Sequence, residues 1–157
     1  MGKINSVLFV CTGNICRSAM AEGLLKALLQ KKGLESILVS SAGTWGLIGE
    51  PAAPYAIEVC WENGVDITGH VARILTKRIV KDSDLVVTME FSHLERVLEL
   101  SPESEDRVKM LSQFGSKDKV FYESIDDPYG RARREYEKCF AIIQGHIEAM
   151  VQDIIEA

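Results

Sequence analysis

Cys11 and Arg17 close a short loop, Cys11-Thr12-Gly13-Asn14-Ile15-Cys16-Arg17-Ser18, that follows the apolar run Val7 to Val10. A thiolate is a strong nucleophile, and a guanidinium is a planar fork that holds two oxygens of a tetrahedral anion at once. A glycine-containing turn between a strand and a helix gathers backbone N–H groups around one concavity, with the positive helix end behind it. A nucleophile at the mouth of such a cradle suits attack on phosphate. Gly13 stands where tight backbone is expected, and Asn14 can hold a left-handed turn. Ser18 can donate a hydrogen bond to the Cys11 thiolate. Taken alone, this spacing of cysteine and arginine is a weak signal, because a strand-end cysteine is commonly inert core. Its place at a strand-to-helix junction gives it weight.

The elements that must position the loop follow from hydrophobic spacing. Residues 6–11 are β-branched and aromatic and end in a turn signal, as expected of a buried parallel strand. From Arg17 to Lys32, Met20, Leu24, Leu25, Leu28 and Leu29 recur at helical spacing, and Gly33 is a stop. A second strand is predicted over Ser36–Ser41, and strand, helix, strand implies a right-handed crossover and a parallel sheet. Gly43 to Pro54 is an irregular loop around Trp45, which serves either as a pocket wall or as packing under its own loop. Helices are predicted over Ala53–Asn63, Thr76–Lys81, Phe91–Leu100 and Arg131–Ile155, and strands over Asp84–Met89 and Val108–Ser112. With no repeat or linker, residues 1–157 read as a single doubly wound α/β domain, a four-stranded parallel sheet with helices on both faces. Ligands in such sheets bind beyond the carboxyl ends of the strands, where the first strand delivers Cys11.

The net charge of -5 and pI near 5.3 argue against affinity for nucleic acid or an anionic membrane surface, while leaving room for a local anion pocket. No apolar stretch approaches the roughly 18 residues that span a bilayer, and the start is too short for a signal peptide. A cytoplasmic protein is expected. The four cysteines then read as reduced thiols, with Cys60 and Cys139 as apolar fillers. Cys11 and Cys16 lack a partner pair at zinc spacing, and the loop lacks the Gly-Lys-Ser or Gly-Lys-Thr ending of nucleotide loops. No metal or cofactor is expected.

Val7-Leu8-Phe9-Val10-Cys11-Thr12-Gly13-Asn14-Ile15-Cys16-Arg17-Ser18, followed by Ala21-Glu22, resembles the low-molecular-weight protein tyrosine phosphatases of bacterial type. Ser40 to Thr44, His70 to Arg73, Asp84 to Met89 and Asp126 to Gly130 match in order along the chain. The resemblance implies that Cys11 is the nucleophile, that Arg17 clamps the phosphoryl group, and that Asp127 is the general acid. By residue type alone Asp126 rivals Asp127, but only Asp127 directly precedes a proline, as the family pattern asks. Thr12, Gly13, Asn14, Ile15, Cys16 and Ser18 would form the phosphate loop, supported by Ser41 and His70. Glu90 stands where the family often has aspartate, with a longer reach for any contact with Arg17. Without the resemblance His70 reads as a surface or capping histidine, and His93 and His146 read as helix-surface residues. The implied activity is hydrolysis of phosphorylated protein side chains or small aryl phosphates through a phosphocysteine intermediate.

Substrate choice rests on Thr12, Trp45 and Tyr129. The animal members carry an apolar residue after the nucleophile and two aromatics after the Asp-Pro pair. Here Gly130 replaces the second aromatic, which weakens stacking on a phosphotyrosine ring by about 0.5–1.5 kcal/mol. Thr12 resembles members that act on phosphoarginine, so protein-arginine phosphatase is the alternative to a phosphotyrosine reading. Cys16 lies in the same loop as Cys11, and either a protective disulfide or simple packing under the loop fits it. An arsenate reductase would need further cysteines in a mobile segment, and none lies around Asp82 to Met89. A phosphate-loop binding module without catalysis would need neither Arg17 nor Asp127.

Overall fold

A computed structural model of the chain describes residues 2–115 and 123–156. Strand β1, Ser6–Cys11, sends alternate side chains into two different cores: Val7, Phe9 and Cys11 join one apolar cluster, and Leu8 and Val10 join the other. Both faces are covered, which is why the run is continuously apolar rather than alternating. β1 pairs in parallel with β2, Leu38–Gly43, on one side and with β3, Leu85–Thr88, on the other. Strand β4, Val108–Met110, pairs with β3 and completes a four-stranded parallel sheet in the order β2-β1-β3-β4.

Helices α1 (Arg17–Lys31), α2 (Pro54–Glu62) and α5 (Arg133–Met150) contribute Met20, Leu25, Val59, Phe140 and Ile143 to the larger cluster. Helices α3 (Lys77–Lys81) and α4 (Phe91–Leu100) contribute Val80 and Val97 to the smaller one. The expected helices on both sheet faces are therefore present. The chain leaves β1 for β2 and then returns to β3 on the opposite side, so the order reverses beside β1. Such a reversal opens a crevice beyond the strand ends, and Cys11 is the last residue of β1.

Several boundaries move for identifiable reasons. β2 lies two residues later than the predicted span, because its register runs from Ser6 opposite Leu38 to Cys11 opposite Gly43. The strand end requires glycine at position 43, because a Cβ there would lie 2.3 Å from the Thr12 carbonyl oxygen. β4 stops at Met110, where the chain tightens into a 3₁₀ turn over Leu111–Gln113 closed by the Gln113 side chain on the Met110 N–H. α5 starts at Arg133 because the segment before it turns, with Gly130 at φ 75° and the Arg131 N–H bonded to the Pro128 carbonyl. It continues as a π turn over Val151–Ile155. Among the described residues no helix is long and apolar enough to cross a membrane.

Candidate active site

The loop from Cys11 to Cys16 is held from outside by its carbonyls. Those of Cys11, Thr12, Gly13 and Ile15 accept from the N–H groups of Thr44, Trp45, Leu47 and Ala53, and that of Asn14 accepts from His70 Nε2 at 2.6 Å. In a trans peptide the carbonyl and the following N–H point in opposite directions. Five carbonyls tied outward therefore turn the N–H groups of residues 12–16 inward, the arrangement that binds an oxyanion. The first turn of α1 stands directly behind.

Asn14 is the pivot of this loop. Its φ of 62° is the only left-handed conformation at a non-glycine residue among the described residues. Its side chain donates to Ser18 Oγ and Ser41 Oγ, each at 2.8 Å, and accepts from the Arg73 N–H at 3.0 Å. Ser41 reaches it because β2 alternates, placing residues 39 and 41 on the α1 side of the sheet. Ser41 in turn donates to Glu22 Oε1 at 2.6 Å. Since Ser18 Oγ accepts from Asn14, its own proton is free to go to Cys11 Sγ, 2.8 Å away. The donors thus run in one direction, from Asn14 through Ser18 to the sulfur. Gly13, by contrast, has no steric need to be glycine: a Cβ there would make ordinary contact with Leu47 at 3.6 Å. The close approach expected at Gly13 occurs at Gly43.

Arg17 is fully buried, and only one edge of its guanidinium is anchored. Nη1 donates to Glu90 Oε1 at 2.5 Å and to the Ile125 carbonyl at 2.8 Å. Glu90 therefore does span the distance to Arg17. Among the described residues Nη2 makes only long contacts, 3.4 Å to Thr12 Oγ1 and 3.5 Å to Asp127 Oδ2, and buried Nε has no hydrogen-bond partner. Nε and Nη2 form the side-on fork that fits two oxygens of a tetrahedral anion. Burial disfavours the guanidinium charge, but Cys11 and Glu90 outweigh it and hold the Arg17 pKa above its ordinary value. Burial likewise opposes ionisation of Glu90, and the Arg17 contacts override it to keep that carboxyl below its usual range.

Asp127 enters from the segment before α5. Its Oδ1 accepts from the Tyr129 N–H at 3.2 Å, an Asx turn that fixes the carboxylate relative to Pro128. The Ile125 N–H bonds to the Met89 carbonyl, tying this segment to the end of β3. Cys11, Thr12, Gly13, Ile15, Cys16, Arg17, Trp45, Asp127 and Tyr129 line one cavity of about 210 Å³. Trp45 is 77% and Tyr129 61% exposed, so both aromatics stand at the rim, and the buried reading of Trp45 is excluded. A larger hollow of about 290 Å³ behind the Asp127 segment reaches neither Cys11 nor Arg17. Among the described residues no group of His, Cys, Asp and Glu is placed to hold a metal ion.

A family model described as low molecular weight phosphotyrosine protein phosphatase matches residues 6–157. The chain belongs to that phosphatase family. It is 34% identical over 142 residues, 90% of this chain and 89% of the relative, to the low molecular weight protein-tyrosine-phosphatase Etp of Escherichia coli. Among solved structures it is similar to Wzb of Vibrio vulnificus in complex with benzylphosphonate, with TM-score 0.84 and 31% identity, covering 95% of this chain and 98% of that one. It is also similar to the YwlE arginine phosphatase, in a variant with a phosphorylated active-site serine, with TM-score 0.86 and 27% identity over 94% and 93% of the two chains. Low molecular weight protein-tyrosine-phosphatases are cysteine-dependent hydrolases.

Two histidines of this low molecular weight phosphatase depart from their expected places. His93 is buried rather than on a helix surface, with 2% exposure. It caps α4, accepting the Glu90 backbone N–H on Nδ1 at 3.2 Å, and its Nε2 lies 2.9 Å from Thr12 Oγ1. Its position three residues after Glu90, at the start of a helical pattern, was the available signal for a cap. Burial, together with the Arg17 charge, lowers its pKa to about 4, so the ring is neutral near pH 7. His146 is half-buried and donates Nδ1–H to the Phe114 carbonyl at 2.7 Å. Cys60 and Cys139 are buried, as expected of fillers, and burial pushes both thiols up to about 12. Cys16 packs beneath the loop, 3.6 Å from the Tyr136 hydroxyl, and burial raises its thiol to about 12.

Proposed function

We propose that this protein hydrolyses phosphotyrosine in proteins through a phosphocysteine intermediate, with Cys11 as nucleophile, Arg17 as phosphoryl clamp and Asp127 as general acid and base. The observation that carries this reading is the half-used guanidinium: Arg17 is anchored on Nη1, while Nε and Nη2 offer a free fork in the cavity that holds Cys11 and Asp127. A purely structural arginine would have no reason to keep a buried N–H without a partner.

Cys11 Sγ attacks phosphorus, the S–P bond forms as the P–O bond to the phenol breaks, and Asp127 gives its proton to the departing oxygen. The inward N–H groups of residues 12–16 and the Arg17 fork hold the equatorial oxygens, whose charge they stabilise in the transition state. Asp127 then takes a proton from water as it attacks the phosphocysteine, releasing phosphate and restoring the thiolate. Trp45 and Tyr129 at the rim favour a flat aryl group over a small aliphatic one.

The relatives support both the chemistry and the substrate class, since Etp is named a protein-tyrosine-phosphatase and Vibrio Wzb was solved with benzylphosphonate. Thr12 and the likeness to an arginine phosphatase support protein-arginine phosphatase as the second reading. Turnover of a phosphotyrosine peptide by wild type, Cys11→Ser and Asp127→Ala tests the proposal. The first variant is expected to be inactive and the second strongly slowed. Wild type that leaves phosphotyrosine untouched would overturn it.

A further inference from the structure

Cys16 and Arg17, neighbours in the phosphate loop, hold the two ends of the chain that carries Asp127. Arg17 holds the near end: its Nη1 donates to the Ile125 carbonyl at 2.8 Å, and the Ile125 N–H is tied to the Met89 carbonyl. Cys16 holds the far end: its Sγ lies 3.6 Å from the hydroxyl of Tyr136, in the first turn of α5. The Pro128 carbonyl takes the Arg131 N–H, so the chain turns from Asp127 straight into that helix. Between Ile125 and Pro128, both buried, the Asp127 side chain is 43% exposed, and its segment is backed by the hollow of about 290 Å³. The place of Asp127 over the cavity therefore follows from how the two ends are held.

Tyr136 is buried, and its ring meets Tyr55 of α2 edge-on with 5.6 Å between centroids, so the ring is packed without help from its hydroxyl. A buried hydroxyl needs a partner, and this one finds it in the phosphate loop. Burial and then the Cys16 contact hold the phenol above its ordinary pKa, against the pull of the Gly130 backbone N–H. Burial does the same to the Cys16 thiol, so both groups are protonated near pH 7 and one donates to the other. The Asp127 charge is felt at both. Resting on the phosphatase reading above, we infer that Tyr136 is a positioning residue for the general acid: its hydroxyl fastens the first turn of α5 to Cys16 and so fixes where Asp127 meets the leaving oxygen. A general acid works only within hydrogen-bond reach of the atom it protonates, so a small shift of its segment lowers the rate.

The test uses wild type, Tyr136→Phe, Asp127→Ala and the double variant, on phenyl phosphate and on p-nitrophenyl phosphate. Phenylalanine keeps the ring against Tyr55 and removes only the hydroxyl. Phenolate is a poor leaving group and needs the proton of the general acid, whereas p-nitrophenolate leaves readily without it. The readout is kcat/KM, which follows transfer of the phosphoryl group to Cys11. Tyr136→Phe is expected to lose about 3- to 10-fold on phenyl phosphate, as one net hydrogen bond allows, and less than about 2-fold on p-nitrophenyl phosphate. In the Asp127→Ala background, Tyr136→Phe is expected to add no further loss. Inhibition by inorganic phosphate is expected to stay as in wild type, because the inward N–H groups and the Arg17 fork are untouched.

Equal losses on the two phosphates would reduce Tyr136 to a structural contact and overturn the inference, as would full activity of Tyr136→Phe on phenyl phosphate. A loss that persists without the Asp127 carboxylate would overturn it too. So would weakened inhibition by phosphate, since the hydroxyl would then serve the loop rather than the acid. Failure of the phosphatase reading itself looks different: wild type hydrolyses neither phosphate, and the positioning role falls with it.

Discussion

Arg17 and Glu90 lie 73 residues apart in the chain and meet Nη1 to Oε1 at 2.5 Å, joining the first turn of α1 to the N-cap of α4. The pair links both sides of the crevice beside β1, and it leaves the Arg17 Nε and Nη2 edge facing Cys11. Removing the carboxylate frees the guanidinium to swing and removes one of the negative groups that offset its buried charge. A charged hydrogen bond of this kind contributes about 1.5–3 kcal/mol. Glu90→Ala is therefore expected to lower kcat/KM on an aryl phosphate by about 10- to 100-fold, with Glu90→Asp recovering part of the loss. Steady-state kinetics on both variants checks this, and unchanged kcat/KM in Glu90→Ala would show that Arg17 needs no anchor.

Asn14 holds the loop by its backbone and its side chain at once. Asn14→Ala places an alanine in the left-handed region and removes three hydrogen bonds, and is expected to cost about 2–4 kcal/mol. Asn14→Gly restores the backbone freedom alone and should recover about 1 kcal/mol of that. Urea unfolding with an unchanged m-value measures both.

The two glycines at the mouth of the crevice should behave oppositely towards alanine. Gly43→Ala forces a Cβ to 2.3 Å from the Thr12 carbonyl oxygen, a backbone atom that cannot move without opening the loop. Gly13→Ala puts a Cβ in ordinary contact with Leu47. Thermal melts are expected to show a large loss for Gly43→Ala and a change within about 1 kcal/mol for Gly13→Ala. Similar melting of the two would remove the steric argument for Gly43.

His93 makes stability depend on pH. Its folded pKa of about 4 lies below the unfolded reference of 6.5, so the unfolded chain takes up the proton first. Its effect on stability is nil above pH 6.5, and stability then falls as pH drops through the window from 6.5 towards 4, where the folded state also protonates. Glu90, with a lowered carboxyl pKa, adds its own loss only at lower pH, below its reference of 4.5. The total loss from His93 is on the order of 3 kcal/mol. Unfolding free energies between pH 7 and 5 should show this slope in wild type and a smaller one in His93→Asn.

Much of the site could be read from residue order because its chemistry is local. Cys11 to Ser18 is one continuous turn, and the strand before it and the helix behind it are set by short-range hydrophobic spacing. Residue order alone leaves Asp126 and Asp127 as rivals, and only the family resemblance singles out Asp127; in the structure its carboxylate sits in an Asx turn, with Oδ2 3.5 Å from Arg17 Nη2. What residue order could not supply were the distances between segments. The reach of Glu90 to Arg17, the rim position of Trp45 and the crowding at Gly43 depend on how the strands register, which no single segment encodes. His93 was misplaced for the same reason: its helix looks amphipathic and surface-bound, but its first turn packs against the phosphate loop.

The central claim, that the phosphoryl group passes through Cys11, is tested most directly by acid-quenching the enzyme during turnover of p-nitrophenyl phosphate and mapping the phosphorylated peptide by mass spectrometry. One phosphoryl group on the peptide containing Cys11 is expected. Asp127→Ala should slow turnover in the same assay, and Cys11→Ser should show no hydrolysis. A phosphoryl group mapped to any other residue, or undiminished hydrolysis by Cys11→Ser, would contradict the account.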